Sequence, residues 1–98
     1  MLKKRYYKGG KTCRVWFYLP GDVEAEAVHL VGDFNDWDEE AEPMKKKTDG
    51  TFYTAVTLET GQTYEFRYRL DGERWENDWE ADDYVTNEMG TENSVVAV

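Results

Sequence analysis

Gly32-Asp33-Phe34-Asn35-Asp36-Trp37 closes a short segment in which Val28, Leu30 and Gly32 alternate with His29 and Val31. Period-two alternation of this kind reads as a half-buried β-strand. The residues that follow change character at once. Asp33, Asn35 and Asp36 favour a turn, because their short polar side chains bond the nearby backbone, and nothing in such a turn requires an indole. A tryptophan among side chains that prefer water is either covered by another part of the chain or offered to a ligand. Trp75 poses the same alternatives: it follows the turn dipeptide Asp71-Gly72 and sits among Glu73, Glu76, Asn77 and Asp78. Two indoles near strand ends suit a sugar-binding surface. The apolar CH face of a glucose ring lies flat on an aromatic face while polar neighbours take the hydroxyls.

Period two also governs the rest of the chain. Cys13, Val15, Phe17 and Leu19 face one way with Arg14, Trp16 and Tyr18 opposite, and Pro20-Gly21-Asp22 ends that strand. A second strand is expected over residues 25–31. A short strand at 44–47 is turned by Thr48-Asp49-Gly50 into one carrying Phe52, Thr54, Val56 and Leu58; Asp-Gly between such runs is a strong hairpin signal. Thr60-Gly61 leads into Tyr64, Phe66, Tyr68 and Leu70, whose other face shows Glu65, Arg67 and Arg69. Short pieces near Arg74-Trp75 and Tyr84-Val85-Thr86 and a final strand over residues 94–98 complete the pattern. The best helical candidate, residues 38–42, is too short to matter. Six to eight short antiparallel strands with frequent turns predict an all-β sandwich.

Ninety-eight residues make one domain, with residues 1–11 read as a basic flexible tail and 12–98 as the folded unit. The alternative for the basic start is electrostatic docking on the chain's own acidic half or on a partner. A net charge of −9 argues against nucleic acid. No apolar run resembles a signal or a membrane span, so the expected location is cytoplasmic, with no membrane partner. The single Cys13 has no intrachain disulfide partner and alternates with core positions, as a buried inert thiol does.

Catalytic and metal chemistry find little support. Twenty-one acids make carboxylate pairs inevitable, so a pair alone says nothing about glycoside hydrolysis. Asp33-x-Asn35 begins like a calcium loop, but Trp37 takes a ligand position and no glycine stands at the sharp turn. His29, the only histidine, has no zinc-ligating partners in the pattern, and Ser94, the only serine, has no nucleophile-elbow motif around it. No catalytic residue, metal ligand or cofactor is assigned.

Taken in order, Val28-x-Leu30-x-Gly32-Asp33-Phe34-Asn35-Asp36-Trp37, Gly50-x-Phe52, Gly61-x-x-Tyr64-x-Phe66-x-Tyr68, Leu70-Asp71-Gly72 and Gly90-Thr91-x-Asn93-Ser94-Val95-Val96 resemble the glycogen-binding carbohydrate-binding module. That family, also called the isoamylase N-terminal or early-set domain, includes a domain of the β subunit of AMP-activated protein kinase. The resemblance covers residues 13–98 and implies an immunoglobulin-like β-sandwich. It further implies a carbohydrate-binding set. Trp37 and Trp75 clamp glucose faces, Arg67 stands where the kinase subunit has lysine, and Met89 stands where it has a leucine that threads into the curved glucan. Thr91 and Asn93 contribute hydroxyl and amide contacts. The implied partner is an α-1,4-linked glucan polymer or oligosaccharide, such as glycogen, starch or maltodextrin, bound without catalysis. The alternative is a degenerate early-set domain acting as a protein–protein interaction or structural module beside glycan-metabolising enzymes or a kinase. Each residue also has a plainer role: edge packing for the indoles, an ion pair for Arg67, gap-filling for Met89, a turn cap for Asn93. Two departures bear on the site. An extra residue separates Gly72 from Trp75, and the acidic stretch 76–83 offers competing partners to Arg67 and Arg69.

Overall fold

The inward residues of two long alternating strands, Cys13 to Leu19 and Phe66 to Leu70, meet across a core from which water is excluded. The computed structural model describes residues 1–98. Nine strands run in order: β1 Leu2–Tyr7, β2 Thr12–Leu19, β3 Val28–Gly32, β4 Lys45–Lys46, β5 Phe52–Glu59, β6 Thr63–Leu70, β7 Arg74–Glu76, β8 Asp83–Thr86 and β9 Glu92–Ala97. One sheet has the order β1-β2-β5-β4 and the other β3-β6-β9-β8, with β7 also paired to β6; all pairings are antiparallel. The result is an immunoglobulin-like sandwich with no α-helix, as the alternation predicts.

Between the sheets the aromatic rings pack edge to face. Phe17 meets Phe66 with centroids 5.0 Å apart, and Phe66 meets Tyr68 at 5.7 Å. Such pairs add to the area they bury. Cys13 is fully buried among them, as expected. One buried acid interrupts this core: Asp78, 1% exposed, accepts a hydrogen bond from the Tyr68 hydroxyl at 2.7 Å, and its backbone N–H donates to Ser94 Oγ at 2.9 Å. Burial pushes the Tyr68 phenol well above its ordinary pKa, and the Asp78 carboxylate pushes it further.

The chain start departs from expectation. The flexible tail expected over residues 1–11 is instead strand β1, paired residue by residue with β2 from Leu2↔Phe17 to Tyr7↔Thr12. Gly9 and Gly10, at φ 66° and 89°, turn the chain between the two. Charge fixes the rest: Lys4 Nζ donates to Asp82 at 2.6 Å and to the Ala97 carbonyl at 2.7 Å, and the Met1 amino group contacts Asp78. The basic start therefore docks on the chain's own acidic stretch. One smaller difference follows from side-chain anchoring. β3 begins at Val28 rather than Ala25, because the N–H groups of Glu26 and Ala27 both donate to Asp71 Oδ1 at 2.9 Å. Residues 38–42, too short a stretch for a helix to matter, form turns.

Candidate functional site

Each residue of the opening motif has a separate structural task. A Cβ on Gly32 would lie 2.5 Å from the Glu65 carbonyl oxygen and 2.8 Å from the Phe66 Cβ, so only glycine lets β3 meet β6 this closely. Asp33 holds the turn to β6 by accepting the Glu65 N–H at 2.8 Å. Phe34 drops back toward the core, 5.7 Å from Phe17 between ring centroids. Asn35 bonds the backbone on both sides, accepting from Gly32 N–H at 3.0 Å and donating to the Leu30 carbonyl at 2.9 Å. Asp36 and Trp37 then adopt left-handed backbone, φ 55° and 57°. Such a conformation is uncommon for any residue but glycine and costs on the order of 1–3 kcal/mol. Trp37 is half-buried, and its indole Nε1 donates to Asp33 Oδ1 at 2.9 Å. One carboxylate thus fixes both the turn and the orientation of the ring.

Trp75 reaches the same place from the opposite direction. It stands on β7 opposite Arg69 of β6, so the three-residue turn Asp71–Glu73 absorbs the extra residue while β7 keeps its pairing. That turn is tied down by Asp71, whose carboxyl is held below the usual carboxylate range first by the Ala27 N–H, then by the Glu26 N–H and the charge of Arg74. The indole carries two guanidinium groups, Arg69 at 4.7 Å and Arg67 at 5.5 Å from its centroid. Arg69 also pairs with Glu39 at 2.6 Å and donates to the Gly72 carbonyl at 2.6 Å. It therefore links the segment after Trp37 to the turn before Trp75.

The acidic stretch 76–83 leaves both arginines alone: its ion pairs run to Met1 and Lys4, and Arg69 takes Glu39. Arg67 makes no ion pair, and its Nε has no hydrogen-bond partner.

These side chains open onto one recess of about 370 Å³, lined by Trp37, Arg67, Trp75, Asn87, Glu88, Met89 and Asn93. Met89, at the tip of the turn joining β8 to β9, is 89% exposed, so it fills no core gap. That turn is built by Asn87, whose Oδ1 accepts from the N–H groups of Met89 at 3.0 Å and Thr91 at 3.2 Å. The recess lies over the outward face of β6 around Arg67, where the turn after β3, β7 and the β8–β9 turn come together.

Residues 5–85 match the family model of carbohydrate-binding module 48, the isoamylase N-terminal domain. The chain belongs to that family. Two relatives are 1,4-alpha-glucan branching enzymes GlgB. That of Aquifex aeolicus is 39% identical over 56 residues, which is 54% of this chain and 9% of the enzyme. That of Novosphingobium aromaticivorans is 35% identical over 48 residues, 49% of this chain and 7% of the enzyme. The module thus matches less than a tenth of either enzyme's length.

Of the six carbohydrate-contact positions expected in this module, Trp37, Trp75, Arg67, Met89 and Asn93 line the recess. Thr91 does not; its hydroxyl is bonded to the Asn87 side chain, and it serves the turn. Asn93 is 8% exposed and bonded to Glu65 and Asn87, so its amide is fixed in place. Asn87 and Glu88 also line the recess, and the sequence marks them only as polar residues in a turn. Asp33 and Arg69, a turn former and an outward alternating residue by sequence, hold the two indoles in place. No group of three or more His, Cys, Asp or Glu side chains is placed to hold a metal ion.

Proposed function

We propose that this module binds α-1,4-linked glucan without acting on it, with Trp37 and Trp75 as stacking platforms. The observation that carries the proposal is the convergence of two partly buried indoles, one from the turn after β3 and one from β7, onto one recess with Arg67 and Met89. Glucose rings stack on the indoles, the guanidinium of Arg67 donates to hydroxyl oxygens, and Met89 offers apolar contact to the inner side of a curved chain. Asn87, Asn93 and Glu88 supply the polar wall. Glu88 is the one carboxylate lining the recess, so it has no second carboxylate there to share acid and base roles with. In this reading the module tethers an attached or associated activity to the polymer.

Magnitudes fit a weak reader of long chains. Stacking on an aromatic side chain contributes roughly 1–3 kcal/mol per ring, borrowing the figure for nucleobases. A net hydrogen bond adds about 1 kcal/mol, and both must offset the cost of association. Dissociation constants from about 10 µM into the millimolar range follow. Maltose, too short to span both indoles, should bind poorly.

Retention on amylose resin and co-sedimentation with glycogen test the reading. Wild type should be retained, and Trp37→Ala and Trp75→Ala should each abolish retention while keeping the fold. Unchanged retention in both variants would sink the stacking mechanism.

A further inference from the structure

The outer face of the other sheet carries a chemistry that the glucan recess does not use. The strands of the β1-β2-β5-β4 sheet hold Lys3, Lys4, Arg5, Arg14, Lys45 and Lys46 against a single acid, Glu59, in a chain whose net charge is −9. Pairing register sorts them. Opposite the core-facing Val15, Phe17 and Leu19, the outward row of β2 is Arg14, Trp16 and Tyr18. Lys3 pairs with Trp16, Arg5 with Arg14, and Tyr53 with both Tyr18 and Lys45. Cations lie close to the rings: Arg14 is 5.6 Å from the Trp16 centroid, and Lys47 is 5.1 Å from Tyr18 and 5.5 Å from Tyr53. Lys3, Arg5, Arg14, Lys45 and Lys47 are exposed, and none takes part in the three ion pairs of the molecule. A groove of about 400 Å³ runs between β1 and β2, lined by Lys3, Lys4, Arg5, Trp16 and Tyr18.

We propose that this face docks an acidic segment of polypeptide, whose carboxylates meet Lys3, Arg5, Arg14 and Lys47 over an aromatic floor of Trp16, Tyr18 and Tyr53. Charge selects the partner. A neutral glucan accepts hydrogen bonds from cations but balances none of their charge, whereas carboxylates do both. A nucleic acid carries its run of phosphates beyond this face onto the acidic remainder of the chain, whereas a short peptide sets its carboxylates on the cations alone. The cations also span all four strands, about 14 Å at a strand spacing of about 4.8 Å, so one phosphate ester reaches only part of the set, whereas a peptide carrying several carboxylates reaches across it. Trp, Tyr and Arg are the residues over-represented in protein interfaces and among their energetic anchors. The proposal is independent of the glucan reading, because the face belongs to the opposite sheet.

The test uses fluorescence anisotropy of a labelled glutamate-rich peptide at low salt, where such attraction is least screened. Wild type should bind it, and the double variant Arg14→Glu/Lys47→Glu should bind about tenfold or more weakly, as loss and reversal of two charge contacts implies. The control Lys8→Glu/Lys11→Glu makes the same change in net charge at the β1–β2 turn and should stay within about twofold of wild type. Amylose retention should be unaffected in both. Equal weakening in the two variants, absence of peptide binding by wild type, or tighter face-dependent binding of a phosphorylated maltooligosaccharide than of the peptide would each overturn the proposal. Circular dichroism of every variant distinguishes lost binding from lost fold. Failure of wild type to hold amylose would count against the glucan reading alone.

Discussion

Arg69 is the residue whose removal best tests whether the two indoles are held as a pair. Its guanidinium stacks on Trp75, pairs with Glu39 and donates to the Gly72 carbonyl. Arg69→Ala removes all three contacts. The ion pair contributes little, about 0.5 kcal/mol, because the two side chains are 20% and 54% exposed and solvent screens them. A cation over an indole contributes about 0.5–1 kcal/mol, and this solvent-exposed hydrogen bond about 1 kcal/mol. A stability loss near 2 kcal/mol is expected by urea unfolding, without loss of the fold. The binding effect is separate. A freed Trp75 must be ordered again on the ligand, at about 0.5–1.5 kcal/mol, so affinity for maltoheptaose, followed by tryptophan fluorescence, should fall about three- to tenfold. Glu39→Gln loses only the ion pair and should fall less. If Arg69→Ala binds maltoheptaose like wild type while Trp75→Ala does not bind, Arg69 has no part in positioning the platform.

Two further outcomes follow from packing and titration. Gly32→Ala drives a methyl into backbone that cannot retreat, so a loss of about 3 kcal/mol in urea unfolding is expected; a near-neutral result would mean that β3 and β6 separate easily. The pH profile of stability should decline at both ends. Asp71 and Asp49, the latter lowered by the Thr51 backbone N–H and hydroxyl, have folded pKa values below the unfolded value of 3.8, so their contribution is present above 3.8 and is lost as pH falls toward the folded values. Tyr68 has a folded pKa above the unfolded 10.0, so the unfolded chain loses its proton first and stability falls as pH rises past 10. Tyr68→Phe should flatten that alkaline limb, which pH-dependent urea titrations would read.

The sandwich was legible because its inward and outward positions obey different rules. In β2, β5 and β6 one face is buried in an aromatic core, and the alternation survives in the sequence. β1 hides because only Leu2 of its inward row packs against the core, while Tyr6 is exposed and Lys4 is charged. Lys4 finds Asp82 there instead of apolar neighbours, and the strand reads as a solvated tail. The site divides in the same way. Trp37 and Trp75 stand out because an indole in a polar turn contradicts its surroundings. Arg67 stands out by alternating against core residues. Asp33, Arg69 and Asn87 do not, since each works by holding another residue, and the decisive partners of Asp33 and Arg69 lie some thirty residues away, at Glu65 and Glu39.

The backbone at Trp37 separates presentation from packing more sharply than truncation does. At φ 57° the indole sits where glycine would be comfortable, and its one side-chain hydrogen bond goes to Asp33 four residues earlier. A turn selected for stability alone would place glycine there. Trp37→Gly relieves about 1 kcal/mol or more of backbone strain. Against that it loses a hydrogen bond of about 1 kcal/mol and, because most of the ring is covered, about 2 kcal/mol or more of apolar burial. Were the ring a packing element, deleting it would cost about 3–5 kcal/mol, as buried aromatics do. The presentation reading therefore expects Trp37→Gly to lose about 2 kcal/mol in urea unfolding, with amylose retention gone. A loss of about 4 kcal/mol or more would mark the ring as a piece of the core. Retention that survived the change would leave Trp75 to hold glucan alone, and a lone platform gives no reason for a chain to keep a tryptophan in a left-handed turn.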